Sequence, residues 1–378
     1  MLSERRIDLN IGIHFEFFRT RLDVVHVVPG DARNKIVEAI VESDRVSYGV
    51  VAIYDKDQSM KERCLKLEIP FHTLGFRDKR LISQFFSLLI YVLRTRPKSL
   101  YLHSFYPSIL GAGLTFFCPF TKMVSVRHHN MVYLLSKNLK GIYLDKFIAR
   151  MSFRTIAVSN AVRETMLTQG CNAEKIAVIH NGIELYVSKH VPEPIDARVS
   201  KLRLLAIGRL DWQKNYETML RLAAELKKRG FDFTLAILGT GNEEYASSLF
   251  GLCKSLELDS QVNWVGWDSD IERWFSESDI FLHTALDEAC PLVIIEALSA
   301  GIPIVSSNSG GSSEVIAGFA SGCDANDIEG YIEQIDAKWR NLYETKVQAI
   351  NQIPLVQKKF GISPMRQAYE EHSLSLFA

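Results

Sequence analysis

The sequence predicts an α/β protein built from two Rossmann-like domains whose parallel sheets face a central cleft. Three observations lead there. The chain has 378 residues, more than one ordinary domain holds and about right for two. Short, nearly all-apolar β-type runs alternate with longer helical patterns in both halves, as parallel strands buried on both faces require. The alternation pauses once, in YVSKHVPEPIDARVSK at 186–201, which has two prolines, mixed charges and no periodicity. That stretch reads as an interdomain linker.

In the first half the β-type runs are DVVHVV (23–28), YGVVAIY (48–54), IPFHTL (69–74), SLYLH (99–103), TKMVSV (121–126), RTIAVS (154–159) and KIAVIH (175–180). Helical patterns lie between them, at 79–93 and 161–169 among others. In the second half the runs are LRLLAIG (202–208), FTLAILG (233–239), VNWVG (262–266), DIFLHT (279–284) and IPIVSS (302–307). The stretch SPMRQAYEEHSLSLF (363–377) reads as a terminal helix. The expected division is 1–185, a linker at 186–201, 202–360, and a helix at 361–378 that packs back on the amino-terminal domain. Ligands of such folds bind beyond the carboxyl ends of the strands.

Hydrophobic residues make up 47% and charged residues 23% of the chain, a soluble globular balance. Lys+Arg 44 against Asp+Glu 44 gives no net charge, which argues against a nucleic-acid partner. The six cysteines are scattered, with no C-x-x-C pair. The first ten residues, MLSERRIDLN, carry charges throughout and do not read as a signal peptide. A reducing, cytosolic setting is the expectation. The apolar run FFSLLIYVL (85–93) is too short to span a bilayer. The segment around it, 77–98, has basic ends and an apolar middle. It fits a helix resting on an anionic membrane or a buried crossover helix, and a middle apolar nearly all round favours burial.

Chemistry concentrates in DEACPLVIIEALSAGIPIVSS, 287–307. Glu288 falls in the loop after the run DIFLHT. Pro291 suits the first turn of a helix, Gly301 its carboxyl cap, and Pro303 a stop. Glu296 then lies about one and a half turns inside the helix. The helix start between the two glutamates offers unpaired N–H groups and a positive dipole end, a seat for phosphate. The plainer reading makes Glu296 a solvent-facing residue and Glu288 a dipole partner.

The surrounding motifs weigh against the plainer reading. Seven occur in order: AVSNAV (157–162), HNGIE (180–184), GRLDWQKN (208–215), LGTGNEE (238–244), VGW (265–267), the Glu288-x7-Glu296 stretch, and SGGSSEV (309–315). With them the chain resembles the retaining nucleotide-sugar glycosyltransferases of the GT-B fold, glycosyltransferase family 4. It departs from the family pattern at Glu288-Ala289-Cys290, where Glu-Gly-Phe is usual, and at His283-Thr284, where Pro-Ser is usual. The glycine-rich loop after the first strand is reduced to PGDARNK (29–35).

The resemblance implies roles. Arg209 and Lys214 would neutralise the donor diphosphate, where bond breaking builds negative charge. Glu296 would hold the ribose and Glu288 the sugar hydroxyls, with Pro291, Leu292 and Val293 completing the donor site. Gly239 and Gly241 suit a tight turn near the nucleotide, and Gly310 and Gly311 let backbone approach phosphate. Plain turn and capping chemistry is the alternative for both glycine pairs. His128 or His129, of which His129 is slightly preferred, would touch the donor sugar or line the acceptor site. His103, at a strand end, is as well explained as a core residue.

No metal site and no cofactor are expected, and the triplets Asp55-Lys56-Asp57 and Asp268-Ser269-Asp270 are discounted as metal motifs. The implied reaction moves a sugar from a UDP- or GDP-sugar to a glycan or lipid-linked acceptor, in surface polysaccharide assembly. It would run in the cytoplasm, with possible peripheral contact at the inner membrane face. The donor would bind the second domain and the acceptor the first. Two other readings fit the same residues: a sugar-nucleotide epimerase of the same shape, and an inactive binding subunit of a partner transferase.

Overall fold

The computed structural model describes residues 22–30, 34–43, 45–54, 58–76, 81–128, 139–184 and 201–378. The linker stretch 186–200, the triplet at 55–57, and His129 lie outside them. The chain divides into two compact units. One holds 1–157, 166–179 and 366–378, and the other holds 158–165 and 180–365.

Among the described residues the first unit has seven parallel strands: β1 (Val24–Gly30), β2 (Tyr48–Tyr54), β3 (Phe71–Phe76), β4 (Ser99–His103), β5 (Lys122–Arg127), β6 (Arg154–Ala157) and β7 (Ile176–Val178). Helices α1 (Lys35–Val41), α2 (Ser59–Lys66), α3 (Leu81–Thr95), α4 (Phe105–Leu114) and α5 (Leu139–Met151) connect them, and α6 (Asn160–Thr168), most of which belongs to the second unit, follows β6. The strand order is β3-β2-β1-β4-β5-β6-β7. The order reverses between β1 and β4, which makes that pair the switch point.

Alternation along β1 and β4 gives the sheet two different faces. Val25, Val27, Leu100 and Leu102 join Leu88, Val92 and Leu110 of α3 and α4 in one apolar cluster. His26 and Tyr101, paired across β1 and β4, lie on the other face. There the ring of Tyr369 stands 6.0 Å from that of Tyr101. The Tyr101 hydroxyl meets His372 Nδ1 at 2.7 Å and Ser373 Oγ at 2.9 Å.

The second unit contains β8 (Leu202–Ile207), β9 (Phe233–Leu238), β10 (Val262–Gly266), β11 (Ile280–His283), β12 (Ile304–Ser307) and the short β13 (Gly322–Cys323). Its helices are α7 (Tyr216–Lys228), α8 (Glu243–Ser255), α9 (Ile271–Glu277), α10 (Leu292–Ala300), α11 (Gly311–Ile316), α12 (Ile328–Arg340), α13 (Leu342–Asn351) and α14 (Ile353–Phe360). A last helix, α15 (Ile362–Phe377), carries the chain from this unit into the first. The order β10-β9-β8-β11-β12-β13 puts the switch point between β8 and β11. Asp279, buried at the start of β11, fixes that pairing. Its carboxylate accepts from Arg203 N, Nε and Nη2 and from Lys346 Nζ at 2.7–3.0 Å. The core packs Leu204, Leu220, Leu235, Ile237, Leu282 and Tyr331.

One expectation needs correcting. Helix α3 is not buried all round. Leu88, Tyr91 and Val92 are buried, but Ile82 and Phe86 are 75% and 56% exposed, and Leu81, Ile90 and Leu93 are exposed beside them.

Candidate active site

The loops after β8 and β11 leave the sheet side by side because their strands are neighbours. After β8 the chain runs through Gly208 and Arg209 into a single 3-10 turn, Trp212–Lys214, capped by the Asp211 side chain. Asn215 then adopts a left-handed conformation, φ 54°, before α7. Its amide nitrogen donates to the Ala325 carbonyl at 3.0 Å and to Asn326 Oδ1 at 3.1 Å. The β11 loop is tied to this turn. Thr284 Oγ1 donates to the Lys214 and Asn215 carbonyls at 3.1 Å, and Leu286 N donates to Gln213 O at 2.8 Å.

These ties bring Lys214 against Glu288. The Lys214 ammonium donates to Glu288 Oε1, and the two side chains are only 21% and 19% exposed. His283 lies behind, its Nε2 3.6 Å from the same carboxylate oxygen. Its Nδ1 stands 3.4 Å from Ser306 Oγ on β12. Burial raises the Glu288 pKa, but His283 and Lys214 lower it more and hold it at about 2. Burial lowers the His283 pKa, with Lys214 adding to the effect and Glu288 opposing it. At neutral pH the site therefore holds one anion, one cation and a neutral imidazole. Sequence reading treated His283 only as a departure from a motif. The signal that could have flagged it was its place at the end of a strand, five residues before Glu288.

The glycines serve backbone approach. At Gly239, φ 140°, a Cβ would collide with the Gly208 carbonyl, and at Gly241 with that of Leu210. Both hold the Arg209 turn against the end of β9, where Leu210 N donates to Thr240 O at 2.9 Å. Arg209 itself is 70% exposed and pairs with Asp211 at 2.9 Å. Gly310, φ 54°, caps α11. Gly311 does not offer its N–H to a ligand. That N–H donates to the Glu288 carbonyl at 2.6 Å, and a Cβ there would strike the carbonyls of Ala289 and Glu288. Its role is to hold the Glu288 loop.

Pro291 is the residue before α10 rather than its first turn, and its carbonyl accepts from Ile294 N at 3.1 Å. Gly301 closes the helix at φ 70°. Leu292, Val293, Glu296 and Ala300 are half-buried while Ile294, Ile295, Ala297 and Leu298 are buried. Glu296 thus lies on one face with Leu292 and Val293, the i, i+4 pattern of a helix. The motifs at 157–162, 180–184 and 309–315 also converge. Glu314 accepts from Asn160 N and Nδ2 at 2.7 Å and pairs with His180.

His128 belongs to the first unit, just beyond β5. It ends a chain of rings: His26 Nδ1 to His103 Nε2 at 2.7 Å, and His103 Nδ1 to His128 Nε2 at 2.8 Å. Burial keeps His26 and His103 neutral, lowering the first to about 3 and the second well below its ordinary value, with the neighbouring imidazoles adding to the effect. His103 is therefore neither a lone core residue nor an isolated ligand.

Comparison with known proteins agrees with this architecture. Over 94% of its length the chain superposes on all of Anabaena HepE, solved in complex with UDP and glucose, with a TM-score of 0.77 at 18% identity. It is 26% identical over 230 residues to an uncharacterised glycosyltransferase of Haemophilus influenzae, 60% of this chain and 63% of that one. It is 28% identical over 217 residues to the Escherichia coli UDP-Gal:alpha-D-GlcNAc-diphosphoundecaprenol alpha-1,3-galactosyltransferase, 53% of this chain and 55% of that one. The chain thus spans between about half and two thirds of these two relatives. Residues 191–352 match the family Glycosyl transferases group 1, and residues 42–186 match Glycosyltransferase Family 4. Both units therefore have the layout of a GT-B glycosyltransferase. The two family matches, together with the GT-B neighbours, support a group 1 glycosyltransferase.

Proposed function

We propose that the protein transfers a hexose from a UDP-sugar to a lipid-linked glycan acceptor, with retention, during surface polysaccharide assembly at the inner membrane face. The observation that carries this reading is the Lys214–Glu288 pair at the β8/β11 switch point. Cleaving the bond between the sugar C1 and the diphosphate oxygen puts positive charge on the sugar and negative charge on the leaving group. Glu288 and Lys214 already supply the opposite charges, in a partly dehydrated setting where they act strongly. Arg209 adds a second cation to the diphosphate and Glu296 holds the ribose. No metal is needed for that neutralisation. The presence of UDP in the HepE structure and of UDP-Gal in the Escherichia coli relative's name favours uridine over guanosine.

With its pKa held at about 2, Glu288 is a carboxylate throughout the physiological range. It stabilises an oxocarbenium-like centre but is a poor general acid and a weak base. The leaving phosphate oxygen takes the acceptor's proton. The same low pKa disfavours an epimerase, which needs a group that exchanges protons near neutral pH. An inactive binding subunit would have no use for a paired and dehydrated Glu288. The test is calorimetry with UDP and GDP, without metal and then with magnesium, followed by transfer assays. Metal-free binding of UDP alone is the expected result. Binding of neither nucleotide would overturn the reading.

A further inference from the structure

The chain passes between its two units after Ala157, Thr165, Ile179 and Met365. Two of the sequence motifs, AVSNAV and HNGIE, lie at the first and third of these passages. The transfer chemistry gives neither of them a task. Both meet one carboxylate, and they do so inside the second unit, to which Asn160, His180 and Glu314 all belong. Glu314, on α11, accepts from the Asn160 N–H and from Asn160 Nδ2, each at 2.7 Å, and pairs with His180 Nε2. A helix acid with no further duty faces water. The Glu314 side chain is only 16% exposed. Burial works against its charge, but His180 and Asn160 more than offset that and lower its pKa.

The helix that carries Glu314 also holds the Glu288 loop. Its first residue, Gly311, donates its N–H to the Glu288 carbonyl at 2.6 Å. At its other end Lys359 Nζ donates to the Glu314 carbonyl at 3.1 Å. Helix α11 has only six residues, so a displacement at Glu314 reaches Gly311 within a single stiff turn and a half. A second contact runs in parallel. The Asn181 N–H reaches the thiol of Cys290, two residues beyond Glu288. That thiol is buried. Burial pushes its pKa up to about 12, the Asn181 N–H opposes the rise, and the charges of Glu314 and Glu288 both add to it. Residues 180–183 are themselves fixed. Ile183 N donates to Phe360 O at 3.0 Å, and a Cβ on Gly182 would strike the Gly361 carbonyl. The Glu288 loop is thus tied twice to the segment that begins at His180.

We propose that Glu314 is a positioning residue for the reaction: by clasping Asn160 and His180 it fixes α11, and through the Gly311 N–H it sets where the Glu288 loop stands. The assignment rests on the transfer reading above, and two readouts keep the two apart. Hydrogen exchange of the full chain needs no activity. Two variants are compared, Glu314→Ala and Asn160→Asp, the second setting a new carboxylate against Glu314 at an exposed site. Each should speed exchange in peptides covering 286–291 and leave β8 and β9 unchanged. Transfer assays should then show kcat lowered about 30- to 100-fold in Glu314→Ala and about tenfold in Asn160→Asp, with UDP affinity changed by less than about threefold. Glu314→Gln, which still accepts the Asn160 N–H, should recover much of the rate. Glu329→Ala, which breaks an exposed ion pair with Arg229, should keep the wild-type rate. The decisive arm combines the substitution with Glu288→Gln. Once the Glu288 anion is gone, adding Glu314→Ala should cost less than about a further threefold. Unchanged exchange at 286–291 in both variants, an unchanged kcat beside faster exchange, or the same loss from Glu314→Ala with and without the Glu288 anion would each overturn the proposal. A wild type that transfers no sugar would sink the transfer reading instead, and the exchange result would then decide the clasp alone.

Discussion

Each sheet has a switch point, and the two are furnished in opposite ways. Between β8 and β11 the chain places a partly dehydrated ion pair, Lys214 and Glu288. Near β1 and β4 it places His26 and His103, both kept neutral, and leads from them to His128. The backbone crevice is the same kind of place in both. The difference therefore lies in what each can bind. Fixed opposite charges suit a ligand that is charged or becomes so, such as a nucleoside diphosphate leaving a sugar. Linked neutral rings suit neutral hydroxyls, whose binding needs direction more than charge. That contrast supports a donor on the second unit and an acceptor on the first.

The largest effect expected is at Glu288. Glu288→Gln keeps the shape but removes the anion, and should lower kcat about 10³-fold while UDP affinity in calorimetry changes by less than about tenfold. Near-normal transfer by this variant would break the comparison, because the charge at the second switch point would then be incidental. Lys214→Met should act differently. It removes the cation proposed for the diphosphate and takes the Lys214 ammonium from a partly buried carboxylate, so UDP affinity should fall about 10- to 100-fold. It should also raise the Glu288 pKa, since Lys214 helps to lower it. The acid limb of the pH–rate profile should then move to higher pH. A limb that stays in place would show that Lys214 does not hold the carboxylate ionised.

Neutral buried histidines carry a cost in acid. His26, His72 and His372 have pKa values lowered chiefly by burial, to about 3, 4 and 4. Unfolded, they take up protons below about 6.5. Between that value and the folded pKa the unfolded state binds more protons, so stability falls as pH falls. Each group costs about 1 kcal/mol by pH 5.5. All three lie in the first unit. Denaturant melts followed in that unit should show a midpoint that drops steeply from pH 6.5 to 4.5, and His26→Phe should flatten the drop. A pH-independent midpoint would mean that the rings charge while folded.

Much of this was legible because strand–helix alternation in parallel sheets leaves a strong mark. DIFLHT, FTLAILG and VNWVG lie where β11, β9 and β10 run. Helix α4 escaped because SFYPSILGAGL carries a proline and two glycines, which weaken any helical pattern. Strand β13 has only two residues and no period to read. The candidate residues Glu288, Glu296 and Lys214 come from motif spacing. The tie from Lys214 to Glu288 does not, because it spans 74 residues and depends on which strands are neighbours. Two readings of Gly311 stay open in the sequence for a related reason. Glycine reveals a close approach but not what approaches, and here it is the Glu288 carbonyl rather than a phosphate. The histidine chain is the extreme case, since its links span 77 and 25 residues and only sheet register brings the rings together.

That chain sets the smallest and most specific expectation. A neutral imidazole carries one hydrogen, and each N···N contact holds one. With His26 and His103 neutral, the two contacts make all three rings point their hydrogens in the same direction whenever His128 is neutral too. If His26 Nδ1 donates to His103, then His103 Nδ1 donates to His128, whose own hydrogen must sit on Nδ1. The reverse direction leaves Nδ1 of His128 as an acceptor. Either way, a buried ring two links away decides whether His128 is a donor or an acceptor at the end of β5. Nitrogen-15 spectra of histidine-labelled protein should show His103 and His128 in the same tautomer near neutral pH. In His26→Phe, which removes one partner without adding charge, the His128 nitrogen shifts should change although the substitution lies two rings away. Unchanged His128 shifts in a folded variant would mean that the rings are packed side by side but not coupled. The first switch point would then be a neutral wall, with no preferred direction of hydrogen bonding.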